Sequence, residues 1–210
     1  MNKPKCVITG SARGLGLAIR NRFESEFVVT EYDLQYGQDL NQSTVRDQLI
    51  EDLKDSTIFF NNAHGAFQEE LTERAFDLQN DLVIVVSNSS VTYYDDNSEW
   101  MQDPGWAQYV SIKKSLTAKI RELHNRQGYD RDLRAWLINI RMNWLDTEQH
   151  RWFEHSKLDC EHVVDLMELL LQSWPNLAVQ DLLVMKPNLT GKPYRSQLEN
   201  SLTEIKNSVD

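Results

Sequence analysis

The sequence predicts an α/β fold: a doubly wound parallel sheet of about six strands with helices on both faces, built as a single domain. Three observations support it. Short apolar runs alternate with longer amphipathic ones along the chain, as in βα units on a parallel sheet. The first apolar run passes through a glycine-rich turn, Gly10 to Gly16, straight into an amphipathic stretch. At 210 residues the chain is long enough for one well-buried core, with roughly 70% of the unfolded surface covered at this size.

In chain order, the first strand is expected at Lys5 to Thr9, and the first helix at Gly14 to Glu24 once the glycine turn is passed. Phe27 to Tyr32 reads as the second strand, followed by a helix over Ser43 to Leu53. Thr57 to Asn61 is the third strand and Glu69 to Asn80 the third helix. The fourth strand, Leu82 to Asn88, contains the longest apolar run, Leu82 to Val86. The fourth helix spans Pro104 to Asn125, since proline is tolerated in a first helical turn. Leu133 to Ile140 is the fifth strand. The fifth helix, Asp159 to Trp174, carries Val163, Leu166, Met167, Leu170, Leu171 and Trp174 at core-facing spacing and is stopped by Pro175. Val179 to Met185 completes the strands. A last helix, Ser196 to Lys206, opens on the capping pair Ser196 and Glu199 and lines up Leu198, Leu202 and Ile205, which fold back on the domain or meet another subunit. The domain is placed at 1–190, with 191–210 as a C-terminal tail. There is no internal repeat and no low-complexity stretch.

Composition narrows the function classes. With 32 acidic against 22 basic residues and a net charge of -10, no broad basic face is expected for nucleic acid or anionic lipid, so neither is expected as a partner. Two cysteines, Cys6 and Cys160, suit a reducing compartment better than a disulfide framework. Apolar runs are short and the N-terminus has no signal-peptide core, so the expected location is cytoplasmic. His64, His150 and His155 lack metal-ligand spacing, and no metal is expected.

The chemistry begins at the turn. A pyrophosphate needs backbone N–H groups at a helix N-terminus and glycines that let the backbone approach, and Gly10, Ser11, Arg13, Gly14, Leu15 and Gly16 supply that setting between a strand and a helix. A glycine cluster can also be only a tight turn. The second strand ends in Glu31-Tyr32-Asp33, seventeen residues beyond Gly16, where a carboxylate can accept hydrogen bonds from ribose hydroxyls and repel a 2′-phosphate. That favours NAD, although Arg13 beside the turn leaves NADP possible. A hundred residues on, Tyr109 and Lys113 stand at i and i+4 on one helix face. A phenol working near neutral pH must fall from about 10 towards 7, roughly 4 kcal/mol of phenolate stabilisation that a nearby ammonium in a dry cleft can supply in large part.

The spacing TGxxxGxG resembles the short-chain dehydrogenase/reductase family, and further segments match it in order from about Lys5 to Met185. Asp39 and Leu40 look like that family's acidic-plus-apolar contact to adenine, with Asp33 and Leu34 at the ribose. Asn61-Asn62-Ala63, followed by His64-Gly65, is similar to its NNAG motif, with His64 in place of glycine. Val85 to Val91 resembles its serine-bearing strand end, and Tyr109-Val-Ser-Ile-Lys113 its YxxxK motif. The resemblance implies a Rossmann-like fold and an NAD(H)-dependent oxidoreductase that interconverts a carbonyl and an alcohol on a small molecule. It implies Tyr109 as acid/base, Lys113 as its electrostatic partner and holder of the nicotinamide ribose, and a serine that fixes the substrate oxygen. Ser90 aligns best for that serine, with Ser89 as the alternative. Cofactor contacts then extend over Asn62, Ala63, His64, Leu145 and Thr147. Family members commonly form homodimers or homotetramers.

The chain also departs from that pattern. Only 24 residues, Asp33 to Ser56, separate the second strand from the third, so the sheet edge should be pared down beside Phe27 to Tyr32. The family's catalytic asparagine has no clear counterpart, and Met142-Asn143 stands where it has Pro-Gly. The lid region, 142–158, holds Trp144, His150, Trp152, Phe153 and His155, which either grip a substrate or pack against the sheet edge or a second subunit. Two other functions fit less well: a non-catalytic NAD-binding sensor or scaffold, and a nucleotide-sugar reductase or epimerase, whose larger C-terminal domain has no room in the residues after Met185.

Overall fold

The first strand, β1 (Lys5–Thr9), is extended by its β-branched run and buried from Cys6 onward. The structure, a computed structural model, describes residues 3–78, 80–89, 102–129, 134–142, 145, 158–173 and 179–184. Helix α1 (Gly14–Phe23) follows, then β2 (Val28–Tyr32), a 3-10 turn (Leu34–Tyr36), α2 (Ser43–Leu53), β3 (Ile58–Asn61), α3 (Phe67–Phe76), β4 (Val83–Ser89), α4 (Pro104–Tyr129), β5 (Trp136–Met142), α5 (Cys160–Ser173) and β6 (Asp181–Val184). The expected helix over Ser196 to Lys206 lies outside the described residues.

The six strands form one sheet in the order β2-β1-β3-β4-β5-β6, with every pairing parallel. Such a sheet is buried on both faces, and alternate residues of each strand feed two separate cores. Val7, Phe59, Ile84, Val86 and Leu137 pack with Leu49 and Leu53 of α2, Leu71 and Phe76 of α3, and Leu116, Ile120 and Leu123 of α4. Cys6, Ile8, Phe60, Val85, Ile138 and Ile140 pack with Ile19 and Phe23 of α1 and with Val163, Val164 and Met167 of α5. The doubly wound architecture and its six strands are as the periodicity predicts.

The strand order reverses between β1 and β3, which opens a crevice beyond the C-terminal ends of these strands. On the far side of β1, β2 has no outer neighbour among the described residues. The 24 intervening residues hold one short turn and one helix, as the expected paring-down requires.

Boundaries moved where tertiary contacts outweigh local preference. Helix α3 starts at Phe67 and stops at Phe76, because Asn80 leaves the helix to donate its side-chain amide to the Leu53 and Lys54 carbonyls at the end of α2. Helix α4 continues past Asn125 to Tyr129, where Arg126 bonds Asp77 and lies over the Phe76 ring. No helix among the described residues is long and apolar enough to cross a membrane.

Candidate active site

At the end of β1 the chain turns with Gly10 at φ +70° and Gly14 at φ +55°, backbone states that side chains rarely adopt. The Gly10 amide donates to the Tyr32 carbonyl at 2.8 Å, which fixes the turn against β2. A Cβ on Gly16 would sit 1.9 Å from the Gly10 carbonyl oxygen, and one on Gly10 would sit 3.0 Å from Ala63 Cα. Helix α1, the turn and the end of β3 therefore approach one another more closely than any side chain allows.

This turn fits an anionic group. Helix α1 begins without a side-chain cap and without an acid in its first turn, so its leading amides carry the helix's positive end uncompensated. The Ser11 hydroxyl is fully buried with no hydrogen-bond partner among the described residues; such an orphan costs about 1–3 kcal/mol, which a phosphate oxygen would relieve. Arg13 is exposed beside it. Leu15, in the first turn of α1, is buried in the core against the sheet rather than at the surface.

The acidic candidates are held by backbone. Asp33 accepts from the Ala12 amide at 3.0 Å and the Gln35 amide at 2.8 Å, tying the glycine turn to the end of β2. Leu34 next to it is 71% exposed. Asp39 accepts from the Asn41 amide, which holds its carboxyl below the usual range. Leu40 is buried in the core with α2 and α3, so of this pair only Asp39 reaches solvent.

Thr9 organises the opposite wall. Its Oγ1 accepts from the Asn62 amide at 2.8 Å and the Ala63 amide at 2.9 Å, which bends the chain out of β3 across the mouth of the crevice. The Asn62 side chain donates to the Gly10 carbonyl at 3.4 Å. The Asn61 side-chain nitrogen donates to the Gln68 carbonyl and to Thr72 Oγ1, both at 2.9 Å, anchoring the segment to α3. His64 then lays its ring against Tyr109, with centroids 4.8 Å apart. Burial and the Lys113 charge push the His64 imidazole down to about 4, so it is neutral at physiological pH.

Tyr109 and Lys113 share one face of α4, with the ammonium 5.9 Å from the phenol ring centroid. The Tyr109 ring stacks on Trp106 at 5.5 Å and is held between that indole and His64. Its hydroxyl hydrogen-bonds Ser89, the last residue of β4. Burial raises the phenol above its ordinary value and the Ser89 bond opposes the rise, so in the free protein Tyr109 is a neutral acid. Lys113 is only 4% exposed, and burial pushes its ammonium down to about 7. Its Nζ donates to Gln68 Oε1 at 2.8 Å.

The structure thus brings Gly10, Ser11, Gly14, Gly16, Asp33, Asn62 and Ala63 around the mouth of the crevice, and joins His64, Ser89, Tyr109 and Lys113 in one contact chain. Leu145 pairs with Leu158 in an isolated bridge and packs at the α1–α5 core. Ser90, Thr147, Trp144, His150, Trp152, Phe153 and His155 lie outside the described residues. Among the described residues no cluster of three or more His, Cys, Asp or Glu side chains could hold a metal ion.

No protein-family model and no curated protein matches the chain by sequence. Solved structures do match by shape. A short-chain dehydrogenase from Burkholderia cenocepacia J2315 in complex with NADP superposes with a TM-score of 0.63 at 13% identity, covering 99% of this chain and 96% of that one. The chain has a short-chain dehydrogenase/reductase-like fold. The 3-ketoacyl-(acyl-carrier-protein) reductase from Brucella melitensis, complexed with NADH, gives 0.63 at 14% identity over 88% of this chain and 97% of its own. The 3-alpha-hydroxysteroid dehydrogenase from Pseudomonas sp. B-0831, complexed with NADH, gives 0.58 at 15% over 86% and 94%.

Three side chains of this site escaped the sequence. Thr9 and Trp106 gave no pattern beyond a strand end and a helix start. Gln68 sits one residue ahead of the expected third helix, and its neighbour Lys113 is 45 positions away.

Proposed function

We propose that the protein is a nicotinamide-dependent oxidoreductase that interconverts a carbonyl and an alcohol on a small molecule, with NAD(H) favoured over NADP(H). One observation carries the reading: the Tyr109 phenol meets the Ser89 hydroxyl one helical turn from Lys113, beside a crevice whose other end is an uncapped helix with an orphaned serine hydroxyl. The bound cofactor would supply or accept a hydride. Ser11, Arg13 and the amides after Gly14 would hold its phosphates, Asp33 its adenosine ribose, Asn62 and Ala63 the middle of the crevice, and Lys113 the second ribose. The NADP- and NADH-bound structural neighbours suit either cofactor, and the Asp33 carboxylate favours the one without a 2′-phosphate.

The protein's own part is proton transfer and orientation. Tyr109, neutral at physiological pH, donates its proton to the oxygen of a carbonyl as that oxygen gains negative charge, and takes it back in the reverse direction. Ser89, already bonded to the phenol, is the serine among the described residues that would orient that oxygen. Lys113 stabilises the phenolate left behind.

The test is oxidation of NADH against a panel of ketones and aldehydes, with the Tyr109→Phe variant alongside. Turnover is expected in the wild-type protein and a fall of about 10²-fold or more in the variant, with NADH affinity within about twofold. Activity that survives in Tyr109→Phe would refute the proton-transfer role. The aromatic enclosure of Tyr109 by His64 and Trp106 favours one other reading, a non-catalytic NAD binder; NADH binding without turnover on any carbonyl would select it.

A further inference from the structure

Lys113 is a buried ammonium whose hydrogen-bonded side-chain partner is an amide, Gln68, reached across 45 positions of sequence. Gln68 is itself fully buried in the first turn of α3. Its side-chain nitrogen donates to two backbone carbonyls, Asn61 at the end of β3 at 2.8 Å and Ser87 in β4 at 3.0 Å. Both of those groups can only accept, so the amide nitrogen must face them and Oε1 must face Lys113; the opposite rotamer would set oxygen against two oxygens. Neighbouring strands thus aim one acceptor at one ammonium.

We infer that Gln68 is the positioning residue of the site: its amide, locked by β3 and β4, fixes the Lys113 side chain behind Tyr109 and stabilises its charged form without neutralising it. The inference rests on the proposed roles of Tyr109 and Lys113. A carboxylate in this position would pair with the ammonium and cancel the field that the phenol needs, whereas an amide oxygen accepts the hydrogen bond and leaves the charge in place. Among the described residues, the other groups facing Lys113 are Tyr109 on its own helix and the His64 imidazole from the β3–α3 segment. Neither supplies a negative charge at neutral pH. The lower end of Lys113 is secured separately, since its backbone carbonyl accepts from Thr117 Oγ1 at 2.8 Å and Thr117 accepts from Asn88 at 3.0 Å. The tether at Nζ therefore governs the head of the side chain and not the path of α4.

Two substitutions separate the two ends of the amide. Gln68→Met keeps the length but removes both the acceptor for Lys113 and the donor for the strands. Gln68→Glu keeps an acceptor toward Lys113 and loses the donor. The measurement is the pH-dependent reactivity of Lys113 toward trace acetic anhydride, resolved from Lys114 by peptide fragmentation, which requires neither cofactor nor turnover. The Lys113 midpoint is expected to fall at least one pH unit in Gln68→Met, a tenfold loss of proton affinity, and to stay at or above the wild-type value in Gln68→Glu, while both variants melt earlier. An unmoved midpoint in Gln68→Met, or an equal fall in both, would leave Gln68 a purely structural weld and overturn the inference. In the wild-type protein the two side-chain amide protons of Gln68 should be protected from solvent exchange by NMR; rapid exchange would overturn it as well, whether or not the variants fold. Because no step reads catalysis, the result stands apart from the carbonyl-panel assay: failure there rejects the enzyme, and failure here rejects only the tether.

Discussion

Burying Lys113 should leave a signature in the pH dependence of stability. The ammonium is pushed down to about 7 in the folded protein, from 10.5 for an unburied lysine. Between those two values the unfolded chain binds more protons than the folded one, so stability rises with pH across the window; the full cost is present below it and absent above it. From pH 7 to pH 9 the relief amounts to about 2 kcal/mol, slightly less than two units at ~1.4 kcal/mol each because half of the folded lysines still hold their proton at the lower end. Other groups fall outside this interval. His64, held at about 4, and His124, also lowered, are neutral in the folded protein across the window, and the unfolded imidazoles, with their ordinary value of 6.5, have mostly released their protons by pH 7, so they add little. Cys6, pushed up to about 12, costs stability only as pH passes 9.0. Urea unfolding of wild type and Lys113→Met at half-unit steps from pH 7 to pH 9 reads the effect. The wild-type curve should climb by about 2 kcal/mol, or roughly 4–8 °C in melting temperature, and the variant should stay flat. Parallel curves would show that the buried ammonium carries no such cost.

Substitutions at three further positions test how the crevice is built. Gly16→Ala gains up to ~1 kcal/mol of helix propensity but drives a methyl into the Gly10 carbonyl; a net loss of about 1–2 kcal/mol and abolished NADH binding are expected by calorimetry, and wild-type behaviour would contradict the close approach. Gly37→Ala, at φ +78° with open space around it, should cost about 1 kcal/mol of backbone strain and leave NADH affinity unchanged. Thr9→Val removes the acceptor shared by Asn62 and Ala63 and should destabilise by about 2 kcal/mol, with Thr9→Ser restoring at least half; a Thr9→Ser protein no more stable than Thr9→Val would show that the shared acceptor is not what holds this segment.

Much of the fold was legible in the residue order. The strand at Lys5 to Thr9, the turn at Gly10 to Gly16 and the helix after it are consecutive, and each signals itself by a local property: β-branched runs, glycines needed at positive φ, apolar residues spaced for one helix face. Helix Ser43–Leu53 came out with the expected bounds for the same reason. The end of α3 did not, because what stops it is Asn80 bonding the end of α2, a contact that no window around Asn80 contains. At the site, Tyr109 and Lys113 were visible as a pair at one-turn spacing. Lys113's environment was not: the sequence suggests an ammonium that lowers the phenol, whereas the folded site buries the ammonium and leaves the phenol raised. Leu40, expected at the adenine, is drawn into the core because its side chain lies under α2 and α3.

Residue order alone determined the succession of strands and helices, the glycine turn between β1 and α1 and the phenol–ammonium pair, since each depends on neighbours within a turn or two of backbone. Only the tertiary structure decided that β1 lies between β2 and β3, that the Thr9 hydroxyl holds the segment after β3, that Ser89 reaches Tyr109 and that Gln68 holds Lys113. Those meetings depend on strand register and on which helix covers which face, and burial then sets the charge of the groups that meet.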